Sequence, residues 1–311
     1  MKQNLTDNTI FACDIGGSKL LCGLVECDGR ILDTLGTALR PDVTTDEIEG
    51  HILSFYNELL SRHPGVTPVA CGMTIPGLAD PQEGIWVYAC FSGISDYPVA
   101  QRMTGILGIP VYIENDVNAC ALAEKMYGAC RDCDDFLWMT VSNGVGGGLV
   151  LGGRVYSGAF GGSGEIGHVV VEPDGPLCPC GHHGCMEAVA AGPAISRRYE
   201  ALTGQHISAK EISLLARAGD EIAMSVMTKT GEYIGSALGK AASLMNLSRY
   251  VLGGGVMQSY DLMEPYIKEA FDKEAFASPN KNACIMPTAL KYEAGLMGAA
   301  ATACVAMDKE V

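Results

Sequence analysis

The chain is built from short apolar runs that end in glycine, alternating with longer stretches of helical periodicity. TIFACDIGG reads as a strand entering a tight turn, and LLCGLVECDGRILDTLG as two more strands joined at Asp28-Gly29, a hairpin signal. Thr44 and Glu47 form a capping box that predicts a helix to about Ser61. VTPVACGMTIPG is the next strand, closed by Pro76-Gly77. A helix from about Pro98 to Leu107, the strand IPVYIEN and the helix DVNACALAEKMYGA follow.

A second cycle opens with the strands DFLWMTVS and GGGLVLGG. Helices dominate from Gly192 to Leu247, with Ser208 and Glu211 as another capping box. The strand RYVLGGGV, a helix near Ser259–Phe276 and an alanine-rich helix from about Glu293 complete the chain. Strands alternating with helices predict an α/β fold with partly parallel sheets. Two cycles with the same opening predict a duplicated two-lobe architecture. The expected division is a small N-terminal α/β lobe over 1–117, joined by the final helix over about 293–311, and a large α/β lobe over 118–292. The hinge is expected near Asp116.

Composition changes this picture little. With 311 residues, 48% apolar and 18% charged, the chain is an ordinary globular protein. No apolar run reaches the roughly 18 residues of a membrane span, and the polar N-terminus lacks the apolar block of a signal peptide. The expectation is a cytoplasmic protein with no membrane partner. A net charge of −15 argues against nucleic acid, whose phosphates need a basic face. The 13 cysteines, an odd number scattered mostly singly through apolar stretches, read as reduced thiols.

Five stretches could carry chemistry. In DIGGSK, Gly16 and Gly17 let the backbone approach a phosphate, Ser18 and Lys19 follow, and Asp14 can hold water on Mg²⁺. An ordinary hairpin turn explains the same residues taken alone. In TVSNGVGGGLVLGG, Ser142 and Asn143 supply donors beside Gly144 and Gly146, in more glycine than a flexible hairpin needs. VLGGGV, with Gly254 and Gly255, has a shape suited to a flat adenine or ribose. In YIENDVNA, Asn115 and Asp116 stand where a strand becomes a helix; Asp116 could take a proton from a hydroxyl, or the pair could be a plain N-cap. Finally, Cys178, Cys180 and Cys185 are spaced C-x-C-x4-C with glycines between them. Three thiolates with His168 make a closed tetrahedral Zn²⁺ set. His182 and His183 lie too close to the cysteines in sequence to reach the same ion easily. Glu165 and Glu187 flank the cluster, and by themselves read as solvated charge.

Taken in order, DIGGSK, IPG, ENDVN, GVGGG, GEIGH, CPCGHHGCME and LGGGV resemble the ROK family of sugar kinases and related repressors, in the actin/hexokinase-like (ribonuclease H-like) ATPase superfamily. The resemblance covers essentially the whole chain. It implies a two-lobe fold with a zinc-binding loop, and phosphorylation of a hexose or N-acetylhexosamine at the 6-hydroxyl by MgATP. It implies Asp116 as general base, with Gly77, Asn115, Glu165, His168 and Glu187 around the sugar. ATP would lie against the three glycine turns, and a structural zinc on His168, Cys178, Cys180 and Cys185. Dimerisation in the family makes a homodimer a candidate assembly. Asn143 stands where the family usually has Thr, Ser18 replaces a commoner Thr, and ACFSGISDYP lacks the Asn and Trp of glucokinase sugar loops. The family's repressors carry an N-terminal winged helix-turn-helix. DIGGSK begins at residue 14, so a kinase is expected, with a weakly catalytic sugar sensor or regulator as the alternative.

Overall fold

The computed structural model describes residues 8–89 and 93–310. The chain divides into two compact units. The first comprises residues 1–132, 158–161 and 292–311, and the second 133–157 and 162–291.

The first unit begins with β1 (Thr9–Ile15), β2 (Lys19–Glu26), β3 (Ile31–Ala38) and α1 (Thr45–Arg62). Next come β4 (Ala70–Ile75), β5 (Leu78–Asp80), β6 (Ile85–Tyr88), β7 (Ser95–Tyr97) and α2 (Val99–Leu107). It continues through β8 (Val111–Asn115) and α3 (Asp116–Met126). The main sheet has the order β3-β2-β1-β4-β8, antiparallel among its first three strands and parallel from β1 to β8. Both faces of β1 are covered. Phe11, Cys13 and Ile15 join the core under α1 and α2, while Ile10 and Ala12 face the opposite core. This two-residue alternation assigns Asp14 to the same face as Ile10 and Ala12.

The second unit contains β9 (Phe136–Val141), β10 (Val145–Leu151), β11 (Arg154–Val155), α4 (Met186–Ala190), α5 (Gly192–Thr203), α6 (Ala209–Arg217) and α7 (Glu221–Met245). After these come β12 (Arg249–Gly253), α8 (Tyr260–Glu274), α9 (Ala277–Asn280) and β13 (Cys284–Pro287). Its sheet order, β11-β10-β9-β12-β13, repeats the first unit's pattern of an antiparallel triplet continued by two parallel strands. The internal duplication is therefore real at the level of topology. The core of this unit lies between the sheet and α4 to α8, around residues such as Met139, Ile195, Ile234, Leu238 and Met263.

The last helix, α10 (Ala294–Glu310), packs in the first unit against α3, β1 and β4. Its run of glycine and alanine permits a close approach. A Cβ on Gly72 of β4 would stand 1.8 Å from the Ala299 carbonyl oxygen, and one on Gly298 would stand 2.7 Å from the Ala119 carbonyl carbon. This packing explains where the units divide. A boundary at 117/118, as read from the sequence, would separate α3 from the helix it packs on; the division falls at Asp132/Cys133 instead. Both capping boxes are formed, at Thr44–Glu47 and Ser208–Glu211. The sequence reading missed the small sheet β5-β6-β7 and the short strands β11 and β13, where two to four residues carry too little periodicity to be recognised. Cys90, Phe91 and Ser92, within the segment expected to form the sugar-side loop, lie outside the described residues. No described helix is long and apolar enough to cross a membrane.

Candidate active-site elements

In the first unit, chemistry-bearing residues gather at the carboxyl ends of β1, β4 and β8. Asp14 is a direct register partner of Thr74, and the Thr74 hydroxyl donates to Asp14 Oδ1 at 2.8 Å while accepting from Ile15 N at 3.2 Å. A Cβ on Gly295, in the first turn of α10, would lie 2.5 Å from Asp14 Oδ2. Gly16 N donates to the Lys19 carbonyl at 2.8 Å, closing a tight turn that leaves Gly17, Ser18 and Lys19 exposed. Burial raises the Asp14 carboxyl, against the lowering effects of Thr74 and Lys19.

Asn115 is the N-cap of α3. Its Oδ1 accepts from Val117 N at 3.0 Å and Asn118 N at 3.1 Å, and its Nδ2 donates to the Gly77 carbonyl at 2.9 Å and to Asp116 Oδ1 at 3.0 Å. All the hydrogen-bonding groups of this side chain are thus engaged within the protein. Gly77 has φ +87°, and a Cβ there would meet the Tyr88 carbonyl oxygen at 2.3 Å, so only glycine fits. Asp116 Oδ1 also accepts from Val117 N at 2.9 Å. The crowding around its carboxyl, followed by the charge of Asp14, pushes Asp116 up to about 7, against the pull of those hydrogen bonds. A carboxylate poised near neutrality is matched to moving a proton at physiological pH.

In the second unit, two glycine turns stand side by side because β9 and β12 are parallel neighbours. Thr140 pairs with Gly253 at their ends. Ser142 N donates to the Gly144 carbonyl at 2.8 Å, which forms the first turn around Asn143. Gly254, at φ +93°, begins the second, and a Cβ on Gly255 would sit 3.6 Å from Ser142 Oγ. Gly146 lies past the turn, inside β10, opposite Thr140. The glycines beyond it have a different use from the expected approach to phosphate. A Cβ on Gly147 would lie 2.5 Å from the Gly164 carbonyl oxygen, and one on Gly167 would lie 2.1 Å from that of Val145. GVGGG and GEIGH therefore pack backbone against backbone.

The cysteine loop is held in the same unit. Cys178 N donates to the His182 carbonyl, Gly184 N to the Pro176 carbonyl and Met186 N to the Val169 carbonyl, all within 2.9 Å. Gly184, at φ +67°, lets the Glu172 carbonyl approach to where a Cβ would be 1.5 Å away. Ligand atoms of His168, Cys178, Cys180 and Cys185 all lie within 4.8 Å of one another. Cys180 and Cys185 Sγ are 3.5 Å apart, and Cys178 Sγ is 3.7 Å from His168 Nδ1. A tetrahedral ion with metal–sulfur bonds of about 2.3 Å needs sulfurs about 3.8 Å apart, so the donor set and its spacing fit Zn²⁺. His168 Nε2 faces away from the thiols, 3.9 Å from Glu165 Oε2. His183 Nδ1 contacts the Gly175 carbonyl at 3.0 Å and is outside this cluster, whereas His182 Nδ1 lies 3.6 Å from Cys180 Sγ. Two residues after Cys185, Glu187 Oε2 accepts from Val145 N at 2.9 Å.

Sequence reasoning missed two contributors. Thr74 orients Asp14, and the Val145 N–H anchors Glu187. Each depends on a neighbour distant in sequence, and Thr74 looks like any β-branched strand residue.

Two sheets of one topology, the first with Asp14 and Asp116 at the carboxyl ends of β1 and β8 and the second with glycine turns after β9 and β12, define an α/β chain of the actin/hexokinase-like class. Residues 10–305 match the ROK family, and the chain belongs to it. A glucokinase of Streptomyces coelicolor is 30% identical over 307 residues, spanning 92% of this chain and 95% of that one. The crystal structure of a ROK family glucokinase from Streptomyces griseus, in complex with glucose and AMPPNP, is 31% identical with a TM-score of 0.82. The match covers 94% of this chain and 98% of that one. A ROK family transcriptional regulator, described as a homolog of the E. coli MLC protein, has a TM-score of 0.88 at 27% identity, covering 98% of this chain and 80% of that one.

Proposed function

We propose that this chain transfers the γ-phosphoryl group of MgATP to the 6-hydroxyl of a hexose or N-acetylhexosamine. The coarser statement, an ATP-dependent sugar kinase, follows from the family and from the glucokinases it is similar to, one of them solved with glucose and an ATP analogue. Asp116 is the general base that accepts the hydroxyl proton as the oxygen attacks phosphorus. The observation that carries this reading is its placement: one carboxylate oxygen is anchored by Val117 N and Asn115 Nδ2, and its affinity for protons is raised to about 7. Any neutralisation of Asp14's charge weakens the repulsion and favours ionised Asp116.

Glu165, His168 and Glu187 hold sugar hydroxyls in this reading. Asn115 acts by positioning Gly77 and Asp116, since its own polar groups are engaged. Asp14, with Gly16, Gly17, Ser18 and Lys19, orients the phosphates and Mg²⁺. Ser142, Asn143, Gly144, Gly146, Gly254 and Gly255 line the nucleotide, and the Asn143 amide can donate to phosphate as a Thr hydroxyl would. His168, Cys178, Cys180 and Cys185 would hold Zn²⁺. The ion would supply rigidity to the loop and lock the tautomer of His168, leaving Nε2 free to meet a sugar hydroxyl.

The regulator reading is supported by the high structural similarity to a ROK transcriptional regulator. Measuring ADP release over a panel of hexoses and N-acetylhexosamines separates the two. Turnover on at least one sugar supports the kinase, and sugar binding without ADP release on every member of the panel supports the sensor.

A further inference from the structure

Cys27 and Cys304 form a thiol pair outside the proposed chemistry. Their Sγ atoms are 2.6 Å apart, although the residues stand 277 positions apart in sequence. Cys27 follows β2 at the start of the Asp28-Gly29 turn and is only partly covered, whereas Cys304 lies on the buried face of α10. The surroundings keep the two together. Cys27 N donates to the Asn8 carbonyl at 2.9 Å, the Tyr127 ring packs where a Gly29 side chain would be, and the Tyr127 hydroxyl lies 3.9 Å from Cys304 Sγ.

We propose that Cys27 and Cys304 are a reversible oxidation site, closing to a disulfide that ties the β2–β3 turn to α10. The oxidant is a low-molecular-weight disulfide or its chemical equivalent. The half-buried Cys27, on losing its proton to solvent, attacks one sulfur of the oxidant, forming a mixed disulfide and releasing a thiolate. Cys304 then attacks Cys27 Sγ and expels the second thiol. Two protein thiols lose two electrons and two protons, and one disulfide is reduced to two thiols. Closure to a bond length of about 2.05 Å needs a movement of about half an ångström. The hydrogen bond between the two thiols raises Cys27, with burial adding to it, and holds Cys304 below the ordinary range; the first attack therefore waits on Cys27 losing its proton, and Cys304 is the readier thiolate to resolve the mixed disulfide.

Another close pair shows why proximity alone is not enough. Cys13 and Cys22 Sγ are 3.4 Å apart across β1 and β2, but both are wholly buried and no oxidant reaches them. A bond at Cys27–Cys304 would also shorten the unfolded chain's freedom over nearly its whole length, so the oxidised protein should resist unfolding better.

The test treats folded, zinc-loaded protein with oxidised glutathione, alkylates the remaining thiols, and maps the peptides by mass spectrometry without reduction. The expected result is one Cys27–Cys304 linked peptide and a melting temperature raised by several degrees. Dithiothreitol should reverse both changes, and Cys27→Ser and Cys304→Ser should each lack them. Three results overturn the proposal. Both thiols could remain alkylatable while exposed Cys284 is modified, glutathione could stay on Cys27 unresolved, or Cys27 could link to another cysteine. Because the readout is covalent, it stands or falls separately from the kinase reading.

Discussion

Glu187 Oε2 accepts a hydrogen bond from the backbone N–H of Val145 at 2.9 Å, which joins the end of the cysteine loop to the first glycine turn of the second unit. The same oxygen would lie 2.7 Å from a Cβ placed on Gly144. The two motifs are thus mechanically one piece, and disturbing either should be felt at the other. Gly144→Ala is expected to displace the carboxylate and lower kcat/KM for sugar and for ATP by tenfold or more, on the order of 1–3 kcal/mol for loss of a charged hydrogen bond. Steady-state kinetics in both substrates checks this. An effect confined to ATP would mean that Glu187 serves the turn alone.

Replacing Asp116 by Asn removes the proposed base but keeps an oxygen able to accept from Val117 N. Sugar binding by calorimetry should survive, while turnover falls by at least about a hundredfold, the usual contribution of a general base. A variant that retained near-wild-type turnover would end the assignment.

The same residue sets a pH dependence whose sign differs between activity and stability. With Asp116 as the proposed base, its ionised form is the active one, so kcat/KM should fall about tenfold per pH unit below a value near 7. Because Asp14 and Asp116 interact, the limb reports an apparent value for the pair. For stability, the native carboxyl keeps its proton up to about 7, while the unfolded one releases it near its ordinary value of 3.8. Stability contributed by this group therefore declines as pH rises from about 4 to 7, and the deficit is complete above 7. Asp116→Asn should be more stable than the parent at pH 8, by at most about 4 kcal/mol for the three-unit difference, and no more stable near pH 4. Urea melts at the two pH values test this.

Zinc should be present at one ion per chain in dialysed protein, measured by elemental analysis. Its removal by a chelator should lower the melting temperature, and Cys180→Ser should reproduce that loss. Protein that contains no zinc and is indifferent to Cys180→Ser would leave four ligand atoms within 4.8 Å of one another without that purpose.

Gly72→Ala tests the fold itself. The added methyl would overlap the Ala299 carbonyl oxygen at 1.8 Å, and both partners are backbone-borne, so relief requires α10 to shift from β4. A loss of about 3 kcal/mol, at the upper end for overpacking, is expected from denaturant midpoints.

Local chemistry determined much of this protein. The capping boxes at Thr44 and Ser208, the strand runs ending in DIGG and ENDVN, and the cysteine spacing around Gly181 and Gly184 each act within a few residues of chain. Each was legible from residue types in order, because caps, turns and short ligand loops are short-range physics. The three-stranded sheet of β5, β6 and β7 was not legible, since strands this short draw their stability from partners and not from their own pattern. Tertiary structure alone decided which glycines stand at turns and which are taken up by packing. Gly147 and Gly167 look the same in sequence as Gly144 and Gly255, yet they bring two backbones together. It also decided that Thr74 would orient Asp14, that Asn115 would be consumed in capping, and that Asp14 would raise Asp116 toward neutrality. Those outcomes follow from strand pairing and burial, which act between residues far apart in the chain.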